Sequence, residues 1–204
     1  MYGFRERNFR FRNAVSLVER DGNLLFMVEE EKKRREMEKK NREELVSLLK
    51  ALRHGALSPR ETYRAIQAFG EMNFQEARPE VEGFLKSEDP ELRFVSLKVL
   101  TRYWHLDEYW ETAREILEHD PDGDCRFRAA HALADLKRNT QDRQTLQVLA
   151  RVVRNKQEEP VVRESAYAAM KAILHFDPRE QFHTATLRFD LDKEADWEMV
   201  DSYL

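Results

Sequence analysis

Asp120-Pro121-Asp122-Gly123-Asp124 places carboxylates at the first, third and fifth positions of a calcium-loop pattern. The rest of the pattern fails, because Cys125 stands where the loop needs glycine and His131 where it needs a bidentate glutamate. The acidic cluster reads instead as a turn and helix cap, since short acidic side chains accept hydrogen bonds from the free amides of a helix start. Among the histidines His54, His105, His119, His131, His175 and His183, no two stand at the i,i+4 spacing that zinc enzymes use on one helix face. His131 therefore reads as a packing or hydrogen-bonding residue at a helix interface. Cys125 lies near an expected helix start beside Arg126 and Arg128, a setting that can lower a thiol pKa. Yet Leu92 and Val162 occupy the matching positions of similar segments, which makes Cys125 a small core residue. There is no Gly-rich phosphate loop, nucleophile elbow or dinucleotide fingerprint, and six glycines leave little room for one. The expectation is a chain without catalytic residues, cofactor or metal.

Residues suited to holding a macromolecule are easier to find. Tyr103, Trp104, Tyr109 and Trp110 cluster within one helix pair. Tyr103 shares a register with Met72, Leu136 and Ile173 and so reads as core, whereas Trp104 and Trp110 are less constrained and could anchor a partner. Charge is uneven as well. Asp107, Glu108, Glu111, Glu115 and Glu118 form one acidic block, and Lys137, Arg138, Arg143, Arg151, Arg154 and Lys156 form a basic one further on. If both blocks lie on neighbouring second helices, they line one surface with adjacent stripes of opposite sign. Trp104, Trp110, Arg143, Arg151 and Arg154 are then the candidate partner-binding residues.

The elements that position these residues repeat. Ala68-Phe69-Gly70-Glu71-Met72 aligns with segments starting at Val99, Ala132 and Ala169, so a large apolar residue recurs at 69, 100, 133 and 170, with spacings of 31, 33 and 37. Such a period filled with helical pattern signals stacked helix pairs, each too small to bury its own apolar face. Upstream, Asp89-Pro90-Glu91-Leu92-Arg93, Asp122-Gly123-Asp124-Cys125-Arg126 and Glu159-Pro160-Val161-Val162-Arg163 each combine an acid, a turn former and an arginine. Arg93, Arg126 and Arg163 could each reach a carboxylate of the adjacent unit and form a ladder through the stack. Ala129, Ala130, Ala132, Ala166 and Ala169 would let helices approach closely.

DCRFRAAHALADL, with PVVRESAYAAMKAI and PELRFVSLKVLTRY, resembles HEAT repeats of the short bacterial type, also called phycobilisome-lyase HEAT-like repeats. The likeness spans about residues 58–176. It implies an α-α superhelix of about four pairs and a scaffold that binds a protein on the ridge of second helices, in place of an enzyme. Two other roles within reach of the resemblance are a nucleic-acid binder similar to the DNA-alkylation repeat proteins and a bilin-lyase-like subunit.

The flanks read differently. Phe9, Phe11, Val15 and Leu17 alternate with polar residues, Asp21-Gly22-Asn23 supplies turn chemistry, and Leu24 to Val28 follows, so residues 1–28 are expected to form a β-hairpin. Residues 29–57 form a charged helix stopped near Gly55, and Ser58-Pro59-Arg60-Glu61 restarts helix with a capping box. Ala185, Leu187, Phe189 and Leu191 alternate again, so residues 177–204 are expected to hold a strand and an acidic tail. Opposite charges at Arg10 and Arg12 against Asp190 and Asp192 suggest that the terminal strands join in one small sheet, within a chain or between two chains of a homo-oligomer. Phe4-Arg5 and Phe9-Arg10-Phe11-Arg12 invite a nucleic-acid reading, but alternation separates the aromatics from the arginines, and a net charge of -4 gives no global attraction to phosphate. No run is long and apolar enough to span a membrane, and the start lacks the apolar core of a signal peptide. A single cysteine suits a reducing compartment, so the expected location is cytoplasmic.

Overall fold

The computed structural model describes residues 6–174 and 190–204, with side chains from Glu29 onward. The chain divides into two compact units, Met1–Leu48 and Leu49–Leu204.

Helix α1 runs Glu6–Arg53, so the hairpin expected over residues 1–28 is not formed, and no strand occurs among the described residues. Phe9, Phe11, Val15 and Leu17 do alternate, but Phe11, Val15 and Val18 also stand at helical i,i+4 and i,i+3 spacing. A helix pairs its backbone groups locally, whereas a hairpin needs the right register and a third element to be stable. Gly22 inside the helix costs about 1 kcal/mol relative to alanine, too little to stop it. Residues 182–189 of the expected terminal strand lie outside the described residues, and Leu191, its last member, begins a helical turn. The sheet between the termini, and a homo-oligomer built on it, lose their N-terminal half. Within the first unit, residues 29–44 carry i,i+3 and i,i+4 ion pairs, among them Arg34 with Glu31 at 2.7 Å and Arg35 with Glu31 at 2.9 Å.

The second unit starts at the end of α1. There Gly55 adopts φ 63°, and the Ala56 amide donates back to the Ala51 carbonyl at 3.0 Å, a left-handed stop that suits glycine. Ser58 then opens helix α2 (Pro59–Glu71) with a complete capping box, its amide donating to Glu61 Oε2 at 2.9 Å. Its second helix is the short α3 (Arg78–Gly83). The following pairs are α4 (Pro90–Lys98) with α5 (Trp110–His119), and α6 (Gly123–Lys137) with α7 (Arg143–Arg154). Helix α8 (Pro160–Ile173) begins a fourth pair, and the short helices α9 (Leu191–Glu194) and α10 (Trp197–Asp201) end the chain.

The first helices lie side by side in the order α2, α4, α6, α8, while α5 packs on α6, α7 on α8 and α10 on α7. Phe69, Leu100, Leu133 and Met170, the recurring large residues, are all fully buried. Ala129, Ala130, Ala166 and Ala169 are buried too, as close helix contact requires. The register fails at one column. Leu136 and Ile173 are buried inside their helices, but Met72 is 50% exposed as the C-cap of α2, and Tyr103 is only half-buried. The cause is local backbone. Val99–Tyr103 continues α4 as a π-helical turn, in which the Trp104 amide reaches Val99 O at 2.9 Å, and this wider turn moves Tyr103 and Trp104 out of register.

Candidate functional site

Three features of the Leu49–Leu204 unit carry chemistry, and the arginine ladder is the most regular. Arg93, Arg126 and Arg163 each stand three residues after the Pro or Gly that opens a first helix. From there Arg93 donates Nε and Nη2 to Asp120 at 2.9 and 2.7 Å, and Nη1 to the Ser87 carbonyl at 2.8 Å. Arg126 repeats this one unit on, with Nη2 to Glu158 at 2.9 Å and to Glu159 at 3.0 Å, and Nη1 to the Asp120 carbonyl at 2.8 Å. Arg163 bonds Val153 O through Nε at 2.9 Å and Asp192 through Nη2 at 2.9 Å. Each guanidinium thus joins a carbonyl at the end of the preceding segment to a carboxylate at the entry to the next one, a use that its planar fork suits. Burial alone would raise the Asp120 pKa, but the Arg93 bonds and the Asp122 amide outweigh it and hold the carboxyl below its usual range. Thr62 occupies the equivalent place on α2, so the ladder begins at Arg93. Asp192 is therefore engaged by Arg163, where the sequence pattern paired it with the N-terminal arginines.

The acidic Asp120–Asp124 turn acts as the cap it resembles. Asp122 accepts from the Cys125 amide at 2.9 Å, and a Cβ at Gly123 would meet the Glu159 carboxylate. Cys125 is 2% exposed, and burial pushes its thiol up to about 12. No group of His, Cys, Asp and Glu among the described residues is arranged to hold a metal.

On the second-helix side, the five candidate partner contacts separate. Trp104 is 6% exposed and buried by the π-turn, so it offers no ridge surface. Trp110 is half-buried, and its indole N–H donates to Thr145 Oγ1 at 2.7 Å, which in turn donates to Asp142 Oδ2 at 2.6 Å. That chain ties α5 to the cap of α7. Arg154 pairs with Asp201 and stacks on the Trp197 ring, 4.1 Å from its centroid. Arg143 and Arg151 remain exposed, with no ion pair among the described residues. The stripes of opposite charge largely neutralise themselves: Lys137 bonds Asp107 at 3.1 Å, Arg114 pairs with Glu111 and Glu118, and Arg78 pairs with Glu82 and Glu108.

The third feature lies on the opposite side, where α4 and α6 run together. A recess of about 380 Å³ opens between Phe94, Lys98, Arg102 and Tyr103 on one wall and Phe127, Arg128, His131 and Asp135 on the other. Arg128 lies 3.7 Å from the Phe94 ring centroid, Lys98 lies 5.3 Å from that of Tyr103, and His131 meets Phe127 edge-on at 4.8 Å. Burial holds the His131 imidazole below its ordinary pKa, which favours the neutral ring at pH 7. Lys98 and Arg128 have no carboxylate partner among the described residues, whereas Asp135 already faces Arg138 at 3.4 Å and Arg102 at 3.9 Å. The sequence reading missed this wall, although its signal was present. Tyr63, Phe94 and Phe127 each follow by four residues the Pro or Gly that opens its helix, with the same 31 and 33 spacing as the buried column. In the fourth unit that place is taken by Glu164.

A family model described as HEAT repeats matches residues 45–134. No curated protein and no solved structure matches the chain. No described helix is long and apolar enough to cross a membrane.

Proposed function

We propose that this chain is a non-catalytic interaction scaffold that holds a protein partner on its stacked helix pairs. HEAT repeats commonly serve as protein-interaction scaffolds, and residues 45–134 match them. The observation that carries the reading is Arg143 and Arg151, exposed and without ion pairs among the described residues, on a second-helix face whose other charges are mostly paired. Unsatisfied cations beside self-neutralised neighbours give a partner a point of selective attachment, because they gain a counter-charge without losing an existing one. Trp110 contributes by fixing the α5 and α7 faces relative to each other. Membership of the short bacterial, phycobilisome-lyase type is part of the proposal and is supported by the DCRFRAAHALADL segment. So is a cytoplasmic site of action, supported by the single reduced cysteine.

The test is affinity capture from the native cell with the full chain as bait, followed by mass spectrometry. The expected result is one or a few partners retained by the unaltered chain and depleted several-fold by Arg143→Glu with Arg151→Glu. Equal recovery by both baits, with both folded, overturns the second-helix assignment.

A further inference from the structure

We propose that the recess between α4 and α6 receives a short acidic segment of a protein partner, with an apolar side chain inserted among Phe94, Tyr103 and Phe127 and an adjacent Asp or Glu carboxylate held by Lys98 and Arg128. This rests on the protein-binding reading, but on neither Arg143 nor Arg151.

Size comes first. A recess of about 380 Å³ accommodates one or two side chains and not a domain, so its natural occupant is a linear segment. Its walls pair aromatic rings with cations that lie over them, at 3.7 Å for Arg128 on Phe94 and 5.3 Å for Lys98 on Tyr103. A bound cation would be repelled by those charges, which excludes the usual occupant of an aromatic cage. An anion gains both the free cations and a partly desolvated setting in which a charge-assisted hydrogen bond is stronger than in water.

The surroundings decide between a carboxylate and a polyanion. Three cations and one carboxylate line the recess, and further carboxylates stand on α4, α6 and α8 beyond its lining. Three residues before Phe94 and Phe127 stand the exposed Glu91 and Asp124, and the next helix carries Glu164 in the aromatic column. A nucleic-acid backbone crossing α4, α6 and α8 would meet those carboxylates in turn, at a cost for each phosphate. One or two carboxylates beside an apolar residue fit within that lining. Shape is fixed in advance by the π-turn, which places Thr101, Arg102 and Tyr103 on the recess wall, and by the Thr101 hydroxyl, which donates to Leu97 O at 2.8 Å.

The experiment is selection of random twelve-residue peptides displayed on phage against the full chain, with the winners synthesised and measured by fluorescence anisotropy. The expected winners carry Asp or Glu next to Phe, Leu or Trp. Their affinity falls at least tenfold for Lys98→Glu with Arg128→Glu, falls less for Lys98→Gln, which leaves the Arg128–Phe94 stack in place, and holds within twofold for Arg143→Glu with Arg151→Glu. Winners with no acidic bias, affinities unchanged by both recess variants in chains that keep their thermal melt, or displacement by a twelve-nucleotide oligo-dT at lower concentration than by the acidic peptide each overturn the proposal. Peptides that lose affinity only in the Arg143 and Arg151 variant sink the recess and leave the scaffold standing. A chain that enriches no peptide and captures no cellular protein sinks both.

Discussion

Arg93 and Asp120 meet through two parallel hydrogen bonds of 2.9 and 2.7 Å, with the carboxylate side chain only 5% exposed. Removing one partner strands the other charge in the unit's interior, so Arg93→Ala or Asp120→Asn is expected to lower unfolding free energy by about 3 kcal/mol, measured from urea midpoints at pH 7. The pair also gives an acid signature. Because the folded-state pKa of Asp120 is depressed, its stabilisation is complete above the ordinary carboxylate pKa and is lost as pH falls through the depressed value. The Asp120→Asn variant should therefore show a shallower loss of stability on acidification than the unaltered protein.

Gly70 sits where α2 presses on the π-turn. A Cβ there would lie 2.7 Å from both Tyr103 Cδ2 and Val99 Cγ2. Helix propensity favours alanine by about 1 kcal/mol, but overpacking at this contact costs about 1–3 kcal/mol, and the fully buried Val99 side chain has little space in which to retreat. Gly70→Ala is expected to destabilise the protein and to displace Tyr103, seen as altered tyrosine near-ultraviolet circular dichroism.

Cys125 tests burial by reactivity. With its thiol pushed up to about 12 and 2% exposed, almost no thiolate is present or reachable at pH 8 in the folded chain. A disulfide reagent such as Ellman's is expected to label it only through opening, with a rate that rises in step with unfolding as urea is added. Rapid labelling without urea would place the thiol at the surface.

The C-terminal residues pack on α7 and bond residues of α7 and α8. Leu191 is 5% exposed and Val200 fully buried, and Asp192, Asp196 and Asp201 bond Arg163, the Tyr167 hydroxyl and Arg154 respectively. Deleting residues 190–204 uncovers the surface beneath both apolar side chains, each worth about 1.5–3 kcal/mol of burial, and leaves Arg163 without its carboxylate. A clear fall in melting temperature is expected, with the shortened chain more prone to self-associate in light scattering.

Much of the repeat array was legible in the sequence because burial acts on spacing. Phe69, Leu100, Leu133 and Met170 recur as they must if each pair hides its face on the next, and the Ser58 and Asp122 caps are local chemistry that four residues suffice to state. Ambiguity and distant context misled elsewhere. Phe11 and Val15 satisfy two periods at once, and only the cost of an unsupported hairpin chooses between them. Trp104 looked like a free anchor because nothing in VLTRYWH announces a π-turn. Arg154 looked available because Asp201 and Trp197 are over forty residues away along the chain. The aromatic column at Tyr63, Phe94 and Phe127 was readable, but it emerges only when outward-facing positions are aligned as carefully as buried ones.

Thr62 stands where the later first helices carry an arginine, so the sheltered arginine clamps start only at α4, and the first pair is tied to the second by the more exposed Arg78–Glu108 pair. The stack is consequently graded: the later pairs are riveted by sheltered charge, and α2 meets α4 without such a rivet. Amide hydrogens of residues 59–83 should exchange earlier than those of α6 and α8, giving the repeats a compliant first pair and stiffer later ones.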